Sequence, residues 1–355
     1  MNQATYNHIN QLIKDSGVLH NNESSKKEFQ NFNFSEETIL ITGAAGTIGS
    51  ELARHILACE FKKMILVDIA ESPLYNLIKE FEDEDSNKIE CFLLNINDNE
   101  SVEYLFQTYK PTLIFHAAAY KHVPLMESHP YEAVKTNILA TKLLVDLAIK
   151  HSVYKFIFIS TDKAVNPISV MGISKYVAEC YIKQQKPKSS TQFAITRFGN
   201  IIGSNGSVLP LFKNQIDSGL SLTLTSKTIT RYFIDKGKAC HSILKIASFK
   251  SFDADVFTFN MGDPIKLHDL AHCFIDNYAE NDSVEIKITA LRPGEKHDEE
   301  IISKDEFLEP TSDTDILLVK QKEYKKQKEI DLSKLVMITP YLSPQEIKSI
   351  LISYI

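Results

Sequence analysis

Asp162 and Lys163 stand side by side in Ser160-Thr161-Asp162-Lys163-Ala164-Val165-Asn166-Pro167, and Met171 and Lys175 follow four residues apart. An adjacent carboxyl and amine can share acid–base work. One protonates a leaving group and the other removes a proton, provided their surroundings tune both toward neutral pH. The preceding apolar run, Phe156-Ile157-Phe158-Ile159, predicts a buried parallel strand. Ser160 to Lys163 then fall at the carboxyl end of a strand, where open α/β sheets bind ligands. Neighbouring side chains alternate in an extended chain, so a turn is needed to bring Asp162 and Lys163 to one reactant. After Pro167 the pattern becomes helical, which places Met171 and Lys175 on one face. A thioether has no proton to transfer, so an acid and base must come from elsewhere, and Asp162 and Lys163 are the candidates. Taken alone, the pair reads better as an ordinary turn, and Lys175 as a solvated helix lysine.

An upstream glycine loop tips the reading toward chemistry. Thr38-Ile39-Leu40-Ile41 predicts a strand, Thr42-Gly43-Ala44-Ala45-Gly46-Thr47-Ile48-Gly49 a loop, and residues 50–59 a helix. Strand, glycine loop and helix N-terminus together make a dinucleotide site. Its candidate contacts are Gly43, Gly46, Thr47, Ile48 and Gly49. A second strand, Met64 to Val67, ends at Asp68. An acid there accepts from a ribose 2′-hydroxyl and repels a 2′-phosphate. Ile69-Ala70-Glu71-Ser72 contains no arginine, so the expected cofactor is NAD and not NADP. A third strand, Ile89 to Leu94, leads to Asn95 and Ile96, placed to flank the adenine. A fourth, Thr112 to Phe115, leads to His116-Ala117-Ala118-Ala119, where small residues permit close passage of a cofactor. The loop Tyr120 to Glu127 follows. Its Lys121 suits a substrate phosphate, and His122 suits either loop packing or catalysis. A helix over 131–150 carries Asn137 inward.

Strand–helix alternation through Phe193-Ala194-Ile195-Thr196 predicts an α/β doubly wound parallel sheet of six or seven strands. From Arg197-Phe198-Gly199-Asn200 onward the elements shorten, which predicts a smaller C-terminal lobe over the substrate. Val256 to Phe259 is expected to rejoin the main sheet. The resulting division is an extension at 1–35, a dinucleotide-binding domain at 36–198 and a substrate lobe in most of 199–355. The extension has a helical pattern at Ile9, Leu12 and Ile13 and a linker at Asn21 to Lys27. Glu80 to Asp85 reads as a solvated helix end, and Ser343-Pro344 opens a helix to about Ser353. Arg231 and Arg292 lie in Thr230-Arg231-Tyr232-Phe233 and Leu291-Arg292-Pro293-Gly294-Glu295-Lys296. Arginine suits bidentate phosphate binding; surface ion pairs are the alternative.

The 355 residues are 43% hydrophobic, enough for a full core. A formal charge of −7, without a basic stripe, argues against nucleic acid as a partner. Five cysteines, none in a C-x-x-C pair, predict reduced thiols, no metal site and a cytoplasmic protein. No apolar run approaches ~18 residues, so no membrane span is expected, and the N-terminus lacks a signal-peptide core.

From about Thr38 to Lys320 the chain resembles the extended short-chain dehydrogenases of bacterial polysaccharide biosynthesis, in particular nucleotide-sugar 4,6-dehydratases acting on UDP-N-acetylglucosamine. The resemblance is carried by Thr42 to Gly49, His116 to Glu127, Ser160 to Lys175, Arg197 to Phe212, Thr230 to Phe233 and Leu291 to Lys296. It covers the catalytic domain of relatives that are often large membrane proteins. It implies a Rossmann-like sheet, bound NAD, a UDP-sugar substrate and a homo-oligomer. Where many short-chain dehydrogenases carry Tyr-x-x-x-Lys, this chain has Met171, a replacement typical of one branch of the group. By position, Thr161 is implied to bond the sugar 4-hydroxyl and Asp162 to protonate the departing 6-hydroxyl. Lys163 is implied to take the carbon 5 proton, and Lys175 to bind the nicotinamide ribose. Asn200, Arg231 and Arg292 fall where the group holds UDP, and Lys121, His122, Ser207 and Glu295 complete the expected substrate contacts. Two departures stand out. Ser204-Asn205-Gly206-Ser207 has asparagine where relatives have arginine, and His297-Asp298 replaces an apolar residue and tyrosine. The rivals are a UDP-sugar 4-epimerase of the same fold, which has no need of Asp162 and Lys163 at carbons 5 and 6, and a non-catalytic dinucleotide sensor.

Overall fold

The computed structural model describes residues 1–19, 32–82, 87–251, 256–279, 284–323 and 329–355. The expected linker at Asn21 to Lys27 and the end of the charge run at Asp85 lie outside the described residues. Among those described, one nine-stranded sheet organises the molecule. Its strands are β1 (Asn33–Thr42), β2 (Glu60–Asp68), β3 (Ile89–Leu93), β4 (Leu113–His116), β5 (Lys155–Ile159), β6 (Gln192–Arg197), β7 (Val256–Phe259), β8 (Glu306–Pro310) and β9 (Ile316–Gln321). The order across the sheet is β8-β9-β7-β6-β5-β4-β1-β2-β3. The seven strands from β7 to β3 run parallel, and β9 and β8 close the far edge antiparallel. This is the doubly wound Rossmann-like arrangement, with β1 and β4 meeting at the switch point.

The sheet forms where β-branched and aromatic residues run together, and it is covered on both faces. In β5, Phe156 and Phe158 join one core and Ile157 and Ile159 the other; in β1, Leu40 opposes Ile39 and Ile41. That two-residue alternation is the pleat of a strand buried on both sides. Helices α2 (Thr47–Leu57), α3 (Glu71–Glu80), α4 (Asn99–Tyr109), α5 (Val123–Ser128), α6 (Ala140–Lys150) and α7 (Val170–Gln185) connect the parallel strands. Helix α2 starts at Thr47, three residues before the expected start. The helix expected over 131–150 is broken: Pro130–Ala133 passes through a π-helical stretch, Val134–Leu139, before α6. The widened turn carries Asn137, which is buried.

A smaller lobe is built on α8 (Val208–Asp217) and α10 (Leu267–Tyr278); between them in the chain, α9 (Lys236–Ser248) packs on α2. Short strand pairs, such as Leu222–Leu224 with Ile286–Ile288, complete the lobe. Its core includes Phe212 and Phe274 and also Ile9, Leu12 and Ile13 of helix α1 (Gln3–Asp15).

Three expectations need correcting. The sheet has nine strands and not six or seven, because β8 and β9 were missed. β8 exposes all but one of its residues, so it lacks the apolar run that marks a buried strand. The segment 1–35 is not an extension throughout: its helix docks in the smaller lobe, and residue 33 already pairs with β2. Nor is 199–355 mainly a substrate lobe. Residues from 306 onward return to the dinucleotide-binding half, where helix α11 (Pro344–Ile352) packs on α5 and α7.

Candidate active site

A cavity of about 660 Å³ lies between the two halves, lined from the glycine loop to Lys296 and Glu299. At one end Gly43 has φ +69°, and a Cβ there would stand 2.6 Å from the Ala118 amide nitrogen. A Cβ on Gly49 would collide with the Gly43 carbonyl. Glycine is therefore required where β1 enters α2, and the helix N-terminus opens toward the cavity. Gly46, Thr47, Ile48, Ala117 and Ala119 line the same end. Asp68 ends β2 and accepts from the amides of Ala45 (2.8 Å) and Ala70 (2.9 Å), which fix its carboxylate beside the loop. These features fit an adenine dinucleotide: backbone room for a pyrophosphate and an anchored acceptor for a ribose hydroxyl. Asp68, Asn95, Ile96 and Ala118 do not line the cavity itself. Asn95 lies at the end of β3 in a neighbouring depression with Leu94 and Tyr104, and Ile96 is buried in the core.

The central wall comes from the end of β5. Thr161 opens a single 3₁₀ turn, Asp162–Ala164, and its hydroxyl caps the Lys163 amide. That turn puts Asp162 and Lys163 on one side. Thr161 Oγ1 donates to Asp162 Oδ1 at 2.8 Å, and Lys163 Nζ donates to the same oxygen at 3.0 Å and to Asn200 Oδ1 at 3.1 Å. Asp162 has no exposed surface, and its Oδ2 has no hydrogen-bond partner among the described residues. Thr161, Lys163 and Asn200 line the cavity; Asp162 lies behind them.

Helix α7 presents Met171 and Lys175 to the cavity on one face, as their spacing predicts. Ser169 caps the helix by accepting from Gly172 at 3.1 Å. Gly172 is needed because a Cβ would strike the Lys163 carbonyl, so α7 packs directly on the Asp162–Lys163 turn. The Lys175 ammonium lies 3.8 Å from the centre of the Phe158 ring. Burial pulls its pKa down to about 7, against a smaller upward pull from Glu179. Asn137 bonds Tyr120 through both backbone groups and Ser174 Oγ at 2.9 Å, joining the π-helical turn, the Tyr120 loop and α7.

The outer end is more varied. Lys121 reaches Ser204 Oγ at 3.4 Å, and burial lowers its pKa. His122 packs on Gly206, where a Cβ would stand 2.6 Å from its ring. Ser207 Oγ is buried at the cavity wall without a hydrogen-bond partner among the described residues. The Asn205 amide reaches Thr47 Oγ1 at 3.4 Å, so this loop meets the glycine loop across the cavity. Arg231 is buried and directs its guanidinium to the carbonyls of Thr230, His297 and Lys296 and to Glu295. Arg292 is exposed, and Glu295 accepts from its backbone amide. His297 and Asp298 bond each other on the exposed side.

Glu299 was missed in the sequence. It lines the cavity, its side chain is 3% exposed, and its Oε1 lies 3.6 Å from Lys163 Nζ. Its neighbour Glu300 turns outward to Asn166. Nothing local separates the two glutamates; what places Glu299 is a contact 136 residues away in the chain.

The profile of a family described as polysaccharide biosynthesis protein matches residues 39–321. The chain belongs to that family. It is 40% identical over 275 residues to the capsular polysaccharide biosynthesis protein CapD of Staphylococcus aureus, covering 76% of this chain and 46% of that protein. The chain thus spans about half the length of that relative. A UDP-glucose 4-epimerase of Rickettsia rickettsii is 32% identical, covering 77% of this chain and 80% of the relative. Among solved structures, Pen from Bacillus thuringiensis matches with a TM-score of 0.73 at 27% identity, covering 90% of this chain and 99% of that one. DesIV of Streptomyces venezuelae, a dTDP-glucose 4,6-dehydratase solved with NAD, matches with a TM-score of 0.67 at 18% identity, covering 74% and 87%; that likeness is one of fold. The chain's fold is accordingly that of the NAD-binding epimerase and dehydratase structures it matches. Among the described residues, no helix is long and apolar enough to cross a membrane.

Proposed function

We propose that the protein is an NAD-dependent 4,6-dehydratase that converts UDP-N-acetylglucosamine to a UDP-4-keto-6-deoxy sugar. The observation that carries this reading is the Thr161–Asp162–Lys163 turn, which holds an acid and an amine in contact beside a dinucleotide loop. The cofactor is NAD, consistent with the anchored Asp68 and the absence of arginine in residues 69–72. NAD held by the glycine loop and Asp68 would supply the redox chemistry, a hydride transfer between carbon 4 and carbon 6 of the sugar.

The chain's own residues manage the protons. Oxidation at carbon 4 frees the 4-hydroxyl proton, which Met171 cannot accept. Thr161 Oγ1, already bonded to Asp162, passes it to that carboxylate. The new ketone acidifies the carbon 5 proton, which Lys163 removes as a free amine. Asp162, covered by Thr161 and Lys163 before substrate binds, protonates the departing 6-hydroxyl, and water leaves from carbons 5 and 6. Lys163 then returns its proton to carbon 5. Asn200, Arg292 and Ser207 orient the UDP-sugar, Lys121 and His122 close on it, and Arg231 with Glu295 holds the wall at 295–297. Lys175 binds the nicotinamide ribose.

The test is incubation with UDP-N-acetylglucosamine deuterated at carbon 4. Loss of one water by mass spectrometry, with the label at carbon 6, is expected. Asp162→Asn and Lys163→Ala should each lose ~10²–10⁴-fold in that reaction while NAD stays bound. The second reading, a 4-epimerase, is favoured by the Rickettsia relative. It predicts no change in mass and the label back at carbon 4.

A further inference from the structure

Lys163 carries the proposed base, yet it is a lysine in contact with two carboxyl groups. Asp162 Oδ1 is 3.0 Å from its Nζ and Glu299 Oε1 is 3.6 Å from it. A base set between two carboxyls must pass its ammonium proton to one of them before it can act. The two carboxyls are also buried, and each has one oxygen, Asp162 Oδ2 and Glu299 Oε2, without a hydrogen-bond partner among the described residues. Keeping both ionised in that setting is costly.

We propose that Glu299 is the proton acceptor of Lys163: it takes the ammonium proton and holds it through turnover, leaving Lys163 a free amine. When the 3.6 Å gap closes to hydrogen-bond length, one N–H bond of Lys163 breaks and one O–H bond forms on Glu299 Oε1; the charge of the three-residue cluster is unchanged and no other reactant is needed. Asp162, bonded to Thr161, is left to take the proton released at the sugar 4-hydroxyl. Glu299 therefore acts on the substrate through Lys163, as a positioning residue. The assignment rests on the dehydratase reading for its effect on elimination, and on geometry alone for where the proton resides.

The surroundings favour the transfer. Burial pushes the Glu299 carboxyl above its ordinary value, and the charge on Asp162 adds to this. Lys163, Arg231 and Lys296 pull the other way without cancelling it. Arg231 spends its guanidinium on backbone carbonyls and Glu295, and Lys296 Nζ bonds the Val165 carbonyl at 2.8 Å, so both act on Glu299 through space.

Two measurements test this on the NAD-bound full chain. The first is the pH profile of water loss for native enzyme and Glu299→Gln. The glutamine cannot accept a proton, so Lys163 must lose its own to solvent. The variant should lose roughly 10²-fold near neutral pH and recover as pH rises, and Glu299→Asp should restore part of the neutral activity. A loss that is the same at every pH, or no loss, would overturn the proposal. The second is infrared spectroscopy of native protein labelled with ¹³C-glutamate, without substrate. A protonated glutamate carbonyl band at neutral pH is expected, and its absence overturns the proposal even if the glutamine variant fails to fold. Should native enzyme yield no dehydrated product at any pH, the dehydratase reading falls, while the infrared band still decides where the proton sits.

Discussion

Lys175 is a nearly buried amine at the cavity wall. Its neighbours are the Phe158 ring and, one helical turn on, Glu179, which is committed to Ser160 and Arg197. Its folded pKa of about 7 lies below the ordinary ~10.4. Between those values the unfolded chain binds a proton that the folded one does not, so stability contributed by this group rises with pH across the window. Below about 7 both states are charged and the full burial penalty applies. In cofactor-free protein, the stability of native enzyme relative to Lys175→Met should therefore climb from neutral pH upward, by at most about 1.4 kcal/mol per pH unit. Denaturant midpoints at several pH values measure it, and a constant difference between the two proteins would contradict it. At this scale the sequence was partly legible. Spacing alone put Met171 and Lys175 on one face, and the strand end placed Asp162 and Lys163. The burial of Asp162 behind Thr161 was not legible, and neither was Glu299, because the Asp162 amide bonds the distant Phe198 carbonyl and Glu299 meets Lys163 from 136 residues away.

Elements were legible where their own residues carry the pattern. Strands β1, β2 and β5 are apolar runs, α2 is announced by glycines and α7 by the helical pattern after Pro167. Helix α1 showed its apolar stripe but not its destination. The structure docks it on the smaller lobe, where its C-terminal end meets the cavity loop. Gly203 has φ +69°, and a Cβ there would stand 2.8 Å from the Ser16 carbonyl and 3.2 Å from Val18 Cγ2. The next residues are Ser204 to Ser207, which line the cavity. Helix α1 is thus a buttress for the loop that lines the cavity, while the glycine loop of the dinucleotide site lies in the other half. Deleting residues 1–19 should weaken UDP binding by roughly tenfold and leave NAD binding close to native. Calorimetric titration with each ligand checks this; equal losses for both would point to general destabilisation and not to support of the loop.

At the scale of the whole molecule, the chain runs out to the smaller lobe and back, so a boundary near residue 198 does not separate two folding units. Arg197 ends β6 fully buried and bonds Glu179 Oε1 at 2.9 Å from one side and Glu306 Oε1 at 3.0 Å from the other. Glu306 begins β8, more than a hundred residues later. Strand β7 covers the edge of β6. Helix α11 adds Ile347 and Leu351 to the core shared with α7, and Lys348 pairs with Glu127, which in turn accepts from the Val170 amide at the start of α7. A fragment of residues 33–198 would lose Glu306, β7 and α11 at once. Arg197 would keep one of its two carboxylates, an imbalance that costs about 3–5 kcal/mol when a buried ion pair is broken. Losing the β7 edge and the α11 contacts exposes apolar surface on top of that. Against a typical domain stability of about 5–15 kcal/mol, those losses leave little margin. The fragment should show no cooperative unfolding, whereas the full chain should unfold with its dinucleotide half and C-terminal return as one unit. Thermal melts followed by circular dichroism, with and without NAD, decide it: a sharp, NAD-shifted transition in the fragment would mean that residues 33–198 fold alone and that the C-terminal return is an accessory.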